Sequence, residues 1–319
     1  MLSDINSNPR LGLFIPTFKR NYNDVSASIW IRCLQMIPYY KNLGYEVHLN
    51  NPFIKYDYTI FYRGVDKKAI YIIKYLKLIS KKVYWDTCVN YFDKHYANHN
   101  WQVSNAKKIA KLVDGIIVPT KILYSISKKY NNNVLQSYDS INLEYFNKKK
   151  ENLNLKHPLF GWSGVSNKSL FLNKYSKFID GNILLVTDCN IKKQNLDFKY
   201  KYIEWNYNTF YDTIMDVDIC IAPRNFSNSY DMMHSSFKIL VYAICGIPII
   251  TNKLPSYVEL SDRYDFVFFL EDYNNFKEIL KDISNIKVSD INTKDLIFEY
   301  SCESSAIKIT SFLESNNGE

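Results

Sequence analysis

Residues 235–260 read SSFKILVYAICGIPIITNKLPSYVEL, and this stretch decides the fold. Phe237, Ile239, Leu240, Ala243 and Ile244 recur at helical spacing, and Gly246 followed by Pro248 supplies a helix stop. Ile247, Ile249 and Ile250 then read as a buried strand, with 252–255 as the loop beyond it. A helix feeding a wholly apolar strand belongs to an α/β sheet of parallel strands. Ser235 and Ser236 stand at the helix head, where backbone N–H groups and the helix dipole favour an anion. The same serines serve equally as plain caps.

Working outward, the first half repeats the α/β pattern. Leu11–Pro16 reads as a strand, Thr17–Ser28 as a polar loop, Ile29–Leu43 as a helix closed by Gly44, and Tyr45–Leu49 as the next strand. That series is one right-handed βαβ unit. Ser28 and Arg32 lie one turn apart at the head of its helix, either as acceptor-binding groups facing the ligand loop or as a cap and a surface charge. Tyr58–Arg63 is a third strand, Lys68–Ser80 an amphipathic helix and Lys82–Trp85 a fourth strand ending at Asp86. A carboxylate just past a parallel strand points to a ligand mouth, where it orients a hydroxyl or takes its proton; the other reading is a helix cap. Ala106–Leu112 is helical, Asp114–Thr120 a strand and Lys121–Tyr130 a helix. The polar run Asn142–Lys156 reads as a linker.

The second half starts afresh. Leu159–Trp162 is a strand followed by Ser163, Gly164 and a helix that carries Lys168. A glycine there lets backbone approach a phosphate or sugar, since no Cβ intervenes. Lys168 either neutralises phosphate charge or is an exposed helix lysine. Asn182–Val186 and Tyr202–Trp205 are strands, Phe210–Met215 a short helix and Val217–Pro223 a strand. Residues 224–233, with Arg224 and Asn228, form the loop that runs into the Ser235 helix. Phe266–Phe269 is a further strand, and residues 300–314 end in an amphipathic segment.

The pattern S-x-x-K-x-x-x-Y-x-x-C-G-x-P-I-I, on Ser235, Lys238, Tyr242, Gly246 and Pro248 with Tyr257 and Glu259 beyond, resembles the nucleotide-sugar segment of GT-B-fold glycosyltransferases, especially the family 4 type of bacterial surface-polysaccharide enzymes. Residues 114–120, the opening at 159–164 and the run from Tyr202 to Pro223 resemble other parts of the same fold. The resemblance implies α/β GT-B architecture: two Rossmann-like domains facing across a cleft, at 1–150 for the acceptor and 151–299 for the donor, with a C-terminal helix at 300–319 returning to the N-terminal domain. It implies Asp86, Arg224 and Lys238 as catalytic groups. Ser163, Gly164, Lys168, Trp205, Asn228, Ser235, Ser236 and Tyr242 would bind the donor, and Ser28 and Arg32 the acceptor. The chain departs from the family at the E-x7-E glutamates, which fall on Met233 and Val241. A retaining, metal-independent glycosyl transfer from a nucleotide-sugar to a glycan, lipid-linked or protein acceptor is the implied reaction. A catalytically silent nucleotide- or glycan-binding subunit is the alternative that the two missing acids favour.

Composition bounds the rest. A chain of 319 residues, 47% hydrophobic and 23% charged, is long enough for two α/β domains with their own cores. Its net charge of +8 is dispersed over many lysines, which allows peripheral contact with an anionic membrane but matches no nucleic-acid motif. Six cysteines without a C-x-x-C pair, and no signal peptide, point to a reducing cytoplasm and at most the inner face of a membrane. His95 and His99, four residues apart, lack the neighbours of a metal motif, and no metal or cofactor is expected. Walker, nucleophile-elbow and early G-x-G-x-x-G signatures are missing, so kinase, hydrolase and dehydrogenase readings lack their anchors.

Overall fold

The computed structural model describes residues 8–16, 26–94, 99–224 and 232–315. It contains two six-stranded sheets, parallel throughout. The first comprises β1 (Arg10–Phe14), β2 (Glu46–Leu49), β3 (Tyr56–Tyr62), β4 (Ser80–Asp86), β5 (Gly115–Val118) and β6 (Val134–Gln136). Its spatial order is β2-β1-β3-β4-β5-β6, so the strand sequence reverses between β1 and β3. Alternate residues of these strands divide between two cores, as burial on both faces requires. Phe61, Val83, Trp85, Ile116 and Val118 meet Ala69, Ile73, Leu76, Ile109 and Leu123 on one face. Leu11, Leu13, Ile60, Tyr84 and Ile117 meet Ile29, Met36, Tyr40, Ala306, Ile309 and Leu313 on the other. The chain's last helix, Cys302–Ser315, is therefore part of the first unit's core.

The second sheet is built from β7 (Phe160–Ser163), β8 (Ile183–Thr187), β9 (Lys201–Glu204), β10 (Ile219–Ala222), β11 (Ile249–Thr251) and β12 (Val267–Phe269). Read as β9-β8-β7-β10-β11-β12 it has the dinucleotide-fold order, with its reversal between β7 and β10. Phe160, Trp162, Leu185, Ile219, Ile221 and Ile250 form a core with Leu172, Ile179 and Phe276.

Several elements depart from the sequence expectation. The single helix over 29–43 is instead a helix at Ala27–Arg32, a 3-10 turn at Leu34–Met36 and a second helix at Ile37–Asn42. Pro38 explains the break, since it has no N–H to give the carbonyl four residues back. That carbonyl, of Leu34, accepts from Ile37 N–H in the 3-10 turn instead, and Gln35 donates its side-chain amide to Ile31 O and Ser140 O, both at 2.8 Å. The expected helix after Gly164 is a 3-10 helix over Ser166–Tyr175. Helices at Pro255–Ser261 and Tyr273–Ser284 were not expected.

The chain leaves the first unit after Ile141, rejoins it briefly through residues 232–235, and returns for good at Tyr300. The expected linker beginning at Asn142 is packed structure for much of its length. Tyr145 stacks on Tyr207 with ring centroids 5.0 Å apart, and Lys150 pairs with Asp218 at 3.0 Å. Residues 232–235 belong to the first unit, where Met233 packs on its apolar core.

Candidate functional site

In open parallel sheets, ligands bind beyond the carboxyl ends of the strands where the strand order reverses. In the second unit that place lies after β7 and β10, and the sequence sets Ser163-Gly164 after one and Arg224 after the other. Gly164 has φ +153°, a conformation side chains resist, and the Lys238 ammonium occupies the space its Cβ would need. The same ammonium lies 4.5 Å from the centre of the Trp162 ring, a cation–π contact. It reaches Cys220 on β10 electrically: burial pushes that thiol up and Lys238 pulls it down. A cation is thus packed against a bare backbone turn at the point of strand reversal.

The loop after β7 is held from β8. Asp188, just past that strand, accepts from Ser166 N and Oγ at 2.9 Å each, and from Asn190 N at 3.1 Å. Burial pushes this carboxyl up, but the hydrogen bonds from Ser166 and Asn190 outweigh it and hold its pKa at about 2. On the β10 side, Arg224 N donates to Asn252 Oδ1 at 2.7 Å and its Nε to Tyr257 Oη at 3.0 Å. Asp188, Asn252 and Tyr257 were not among the expected site residues; a carboxylate straight after a buried strand was the available signal for Asp188.

The remaining donor-side residues are dispersed. Lys168 is half-buried on the 3-10 helix, and Trp205 follows β9 with its N–H on Thr187 O at 2.8 Å. Tyr242 is fully buried, and burial raises its hydroxyl well above the ordinary value. Ser236 caps Phe237–Ile244 by position, without a side-chain cap bond, and is itself buried. Ser235 turns elsewhere, donating its hydroxyl to Asp139. Asn228 lies outside the described residues.

That bond leads to the first unit's polar centre. Arg32, read from sequence as an acceptor-facing or surface charge, is buried and grips both oxygens of Asp86, Nε to Oδ1 at 2.6 Å and Nη2 to Oδ2 at 2.8 Å. Its Nη1 donates to Asp139 Oδ1 at 2.7 Å and Ser137 O at 3.2 Å. Desolvation works against the Arg32 charge, but the carboxylates of Asp86 and Asp139 outweigh it and raise its pKa. Burial pushes the Asp86 carboxyl up against the pull of Arg32. The expected open carboxylate at the end of β4 is instead an enclosed ion pair, since Asp86 is 2% exposed. Through Arg32 it is tied to Asp139, three residues past β6.

Ser28 and Arg32 do not act together. Ser28 Oγ accepts from Arg63 Nη1 at 2.7 Å, and Ser26 Oγ accepts from the same nitrogen at 3.0 Å. Arg63 follows β3, next to the reversal between β1 and β3, with φ +59°. Its carbonyl accepts from Trp85 Nε1 and its N–H donates to Asp86 O, each at 2.8 Å, which holds this costly conformation. Cys88, nearby, is pushed up to about 11 by burial and by Asp139, against Arg63 and Arg32, so it remains a thiol at neutral pH.

No protein-family model matches the chain, and no curated protein matches its sequence. Solved structures do match. Sucrose-phosphate synthase from Thermosynechococcus elongatus aligns over 96% of this chain and 98% of its own, at 10% identity and TM-score 0.71. Anabaena HepE, in complex with UDP and glucose, aligns over 96% and 100% at 11% identity and TM-score 0.65. TarM aligns over 81% of this chain and 54% of its own, at 12% identity and TM-score 0.57, so the chain spans about half of TarM. Such identities establish architecture alone: the chain has the α/β fold of GT-B glycosyltransferases, two parallel six-stranded sheets each covered by helices.

Proposed function

We propose that the chain is a glycosyltransferase that takes a sugar from a nucleoside-diphosphate donor bound by the second unit. The observation that carries this reading is the packing of Lys238 against Gly164 at the strand reversal of the second sheet. As the bond from the anomeric carbon to the phosphate oxygen breaks, negative charge grows on the diphosphate. A cation already in place, with Arg224 on the neighbouring strand end, stabilises that charge without a metal. The acceptor oxygen forms the new bond to the anomeric carbon and gives its proton to the departing diphosphate. The matching fold of HepE, a structure with UDP and glucose, supports a UDP-sugar as donor. Acceptor recognition falls to the first unit, with Ser28 and Arg63 toward the ligand and the Arg32–Asp86 pair beneath them. A glycan, lipid-linked or protein acceptor, retention at the anomeric centre and a role in bacterial surface glycoconjugate synthesis complete the reading; they rest on the motif resemblance.

A second reading, a silent binding subunit, has its own support. The two positions where the resembled segment carries acids are apolar and inward-facing: Val241 is buried, and Met233 packs on the first unit's core. Nucleotide release from a panel of sugar nucleotides, in chelator and with water as the only acceptor, separates the two. The enzyme reading predicts slow, donor-selective release that falls about a hundredfold in Lys238→Ala, the loss of one charge-assisted contact in the transition state. Binding with no release from any donor would establish the silent subunit.

A further inference from the structure

We propose that the outward face of the helix Lys67–Ile79, with the adjoining loop at 51–54, docks this protein on an anionic lipid surface. The helix buries Ala69, Ile73 and Leu76. Its opposite stripe would ordinarily be polar. Here Lys67, Tyr71, Lys74, Tyr75 and Leu78 follow one another along it, with Lys68 and Lys77 at the flanks. Leu78 is 79% exposed and Tyr71 70%. Over thirteen residues the stripe runs about 20 Å.

The loop extends the stripe at its Leu78 end, because Tyr56 on β3 pairs in register with Ser80 on β4. Ile54 packs into the core, which directs its neighbour Phe53 to solvent at 93% exposure. This placement is built. Phe53 N donates to Asn51 Oδ1 at 3.1 Å, Tyr56 Oη to Asn51 O at 2.7 Å, and Tyr75 Oη to Pro52 O at 2.7 Å. A phenylalanine pinned outward beside a leucine and two tyrosines gains nothing in the folded chain alone.

Charge selects the occupant. Lys67, Lys68, Lys74 and the exposed Lys55 beside Phe53 are all basic, and Lys77 reaches Asp114 at 3.0 Å. The nearby acids are engaged: Asp66 accepts from Ala69 N at 2.7 Å, and Asp57 pairs with Lys81 at 2.6 Å. Lysines are depleted in protein–protein interfaces. Lysine stems with aromatic and leucine tips suit a bilayer interface, apolar atoms among the acyl chains and ammonium groups at the anionic headgroups. Among the described residues no helix is long and apolar enough to cross a membrane, so contact through these helices would be superficial.

The proposal is independent of the sugar-transfer reading, and its test involves no nucleotide. The full chain is floated with vesicles of phosphatidylcholine alone or mixed with phosphatidylglycerol, at low and high salt. Partition is expected only with the anionic vesicles, weakened by salt. Lys67→Glu with Lys74→Glu should lower it at least about tenfold, since each lysine near such a surface contributes about fivefold. Phe53→Ser with Leu78→Ser should lower it as well, whereas Phe298→Ser, which removes another largely exposed phenylalanine elsewhere, should not. Equal partition of all variants, self-association through this face without vesicle binding, or loss of binding to a single-stranded oligonucleotide in place of vesicles would each overturn it.

Discussion

Arg32 shows most clearly how one side chain organises this protein. It holds two carboxylates from different strand ends, Asp86 and Asp139, inside the first unit. Truncating it to alanine strands both acids without their cation, and urea unfolding should show a loss of about 3–5 kcal/mol. Asp188 does a similar task in the second unit at lower cost. Its folded pKa of about 2 lies below the ordinary 3.8. The stability it contributes is therefore fully present above pH 4 and is lost as the pH falls from there toward 2. Solvent screening trims the roughly 2.5 kcal/mol of that shift to about 1 kcal/mol. An Asp188→Asn variant should show a correspondingly flatter acid limb in a pH series of melting temperatures. Sequence made Asp86 and Gly164 visible because each directly follows an apolar run. It hid the partner of Arg32, which lies 54 positions away, and the left-handed Arg63, whose conformation no residue pattern announces.

Secondary elements were legible where apolar runs are short and unbroken, which is why every strand but β6 could be read to within a few residues; β6, Val134–Gln136, is too short to show a pattern. They were obscured where other rules compete. Pro38 interrupts the periodicity expected over 29–43, and the helix divides just before it, with the proline in the first turn of the second piece. Pro255 read as loop, although a proline suits the first turn of a helix and serves that purpose here. Tyr273–Ser284 hid behind the asparagine and lysine bias of the chain. The terminal helix gives the sharpest test of element-level packing. Leu313 is fully buried in the first unit's core, and Tyr84 Oη donates to its carbonyl at 3.0 Å. Leu313→Ala should cost about 2–5 kcal/mol in chemical denaturation. A surface change on the same helix, Lys308→Ala, should stay within about 0.5 kcal/mol.

At the scale of the molecule, the two sheets have different strand orders and different polar contents. The first, reversing between β1 and β3, gathers the Arg32 cluster and the Arg63–Ser28 pair at its carboxyl edge. The second, reversing between β7 and β10, gathers a glycine turn, a lysine and an arginine. That division is what a protein needs if one unit handles a neutral hydroxyl-bearing acceptor and the other a diphosphate. Composition and periodicity foretold two α/β units, while the chain's passages between them, after Ile141, around residues 232–235 and at Tyr300, were set by packing that residue patterns do not announce.

The proposed seat of a nucleoside diphosphate is the turn at Gly164, backed by Lys238. Thermal unfolding in chelator against UDP, GDP, TDP and CMP compounds is the measurement that tests it. One nucleotide at a hundredfold excess over its Kd should raise the Tm by roughly 5–10 °C. Gly164→Ala, which displaces the ammonium, should abolish most of that rise while leaving the unliganded Tm within a few degrees. A flat response to every nucleotide, or an undiminished rise in Gly164→Ala, would exclude a nucleotide site at this turn.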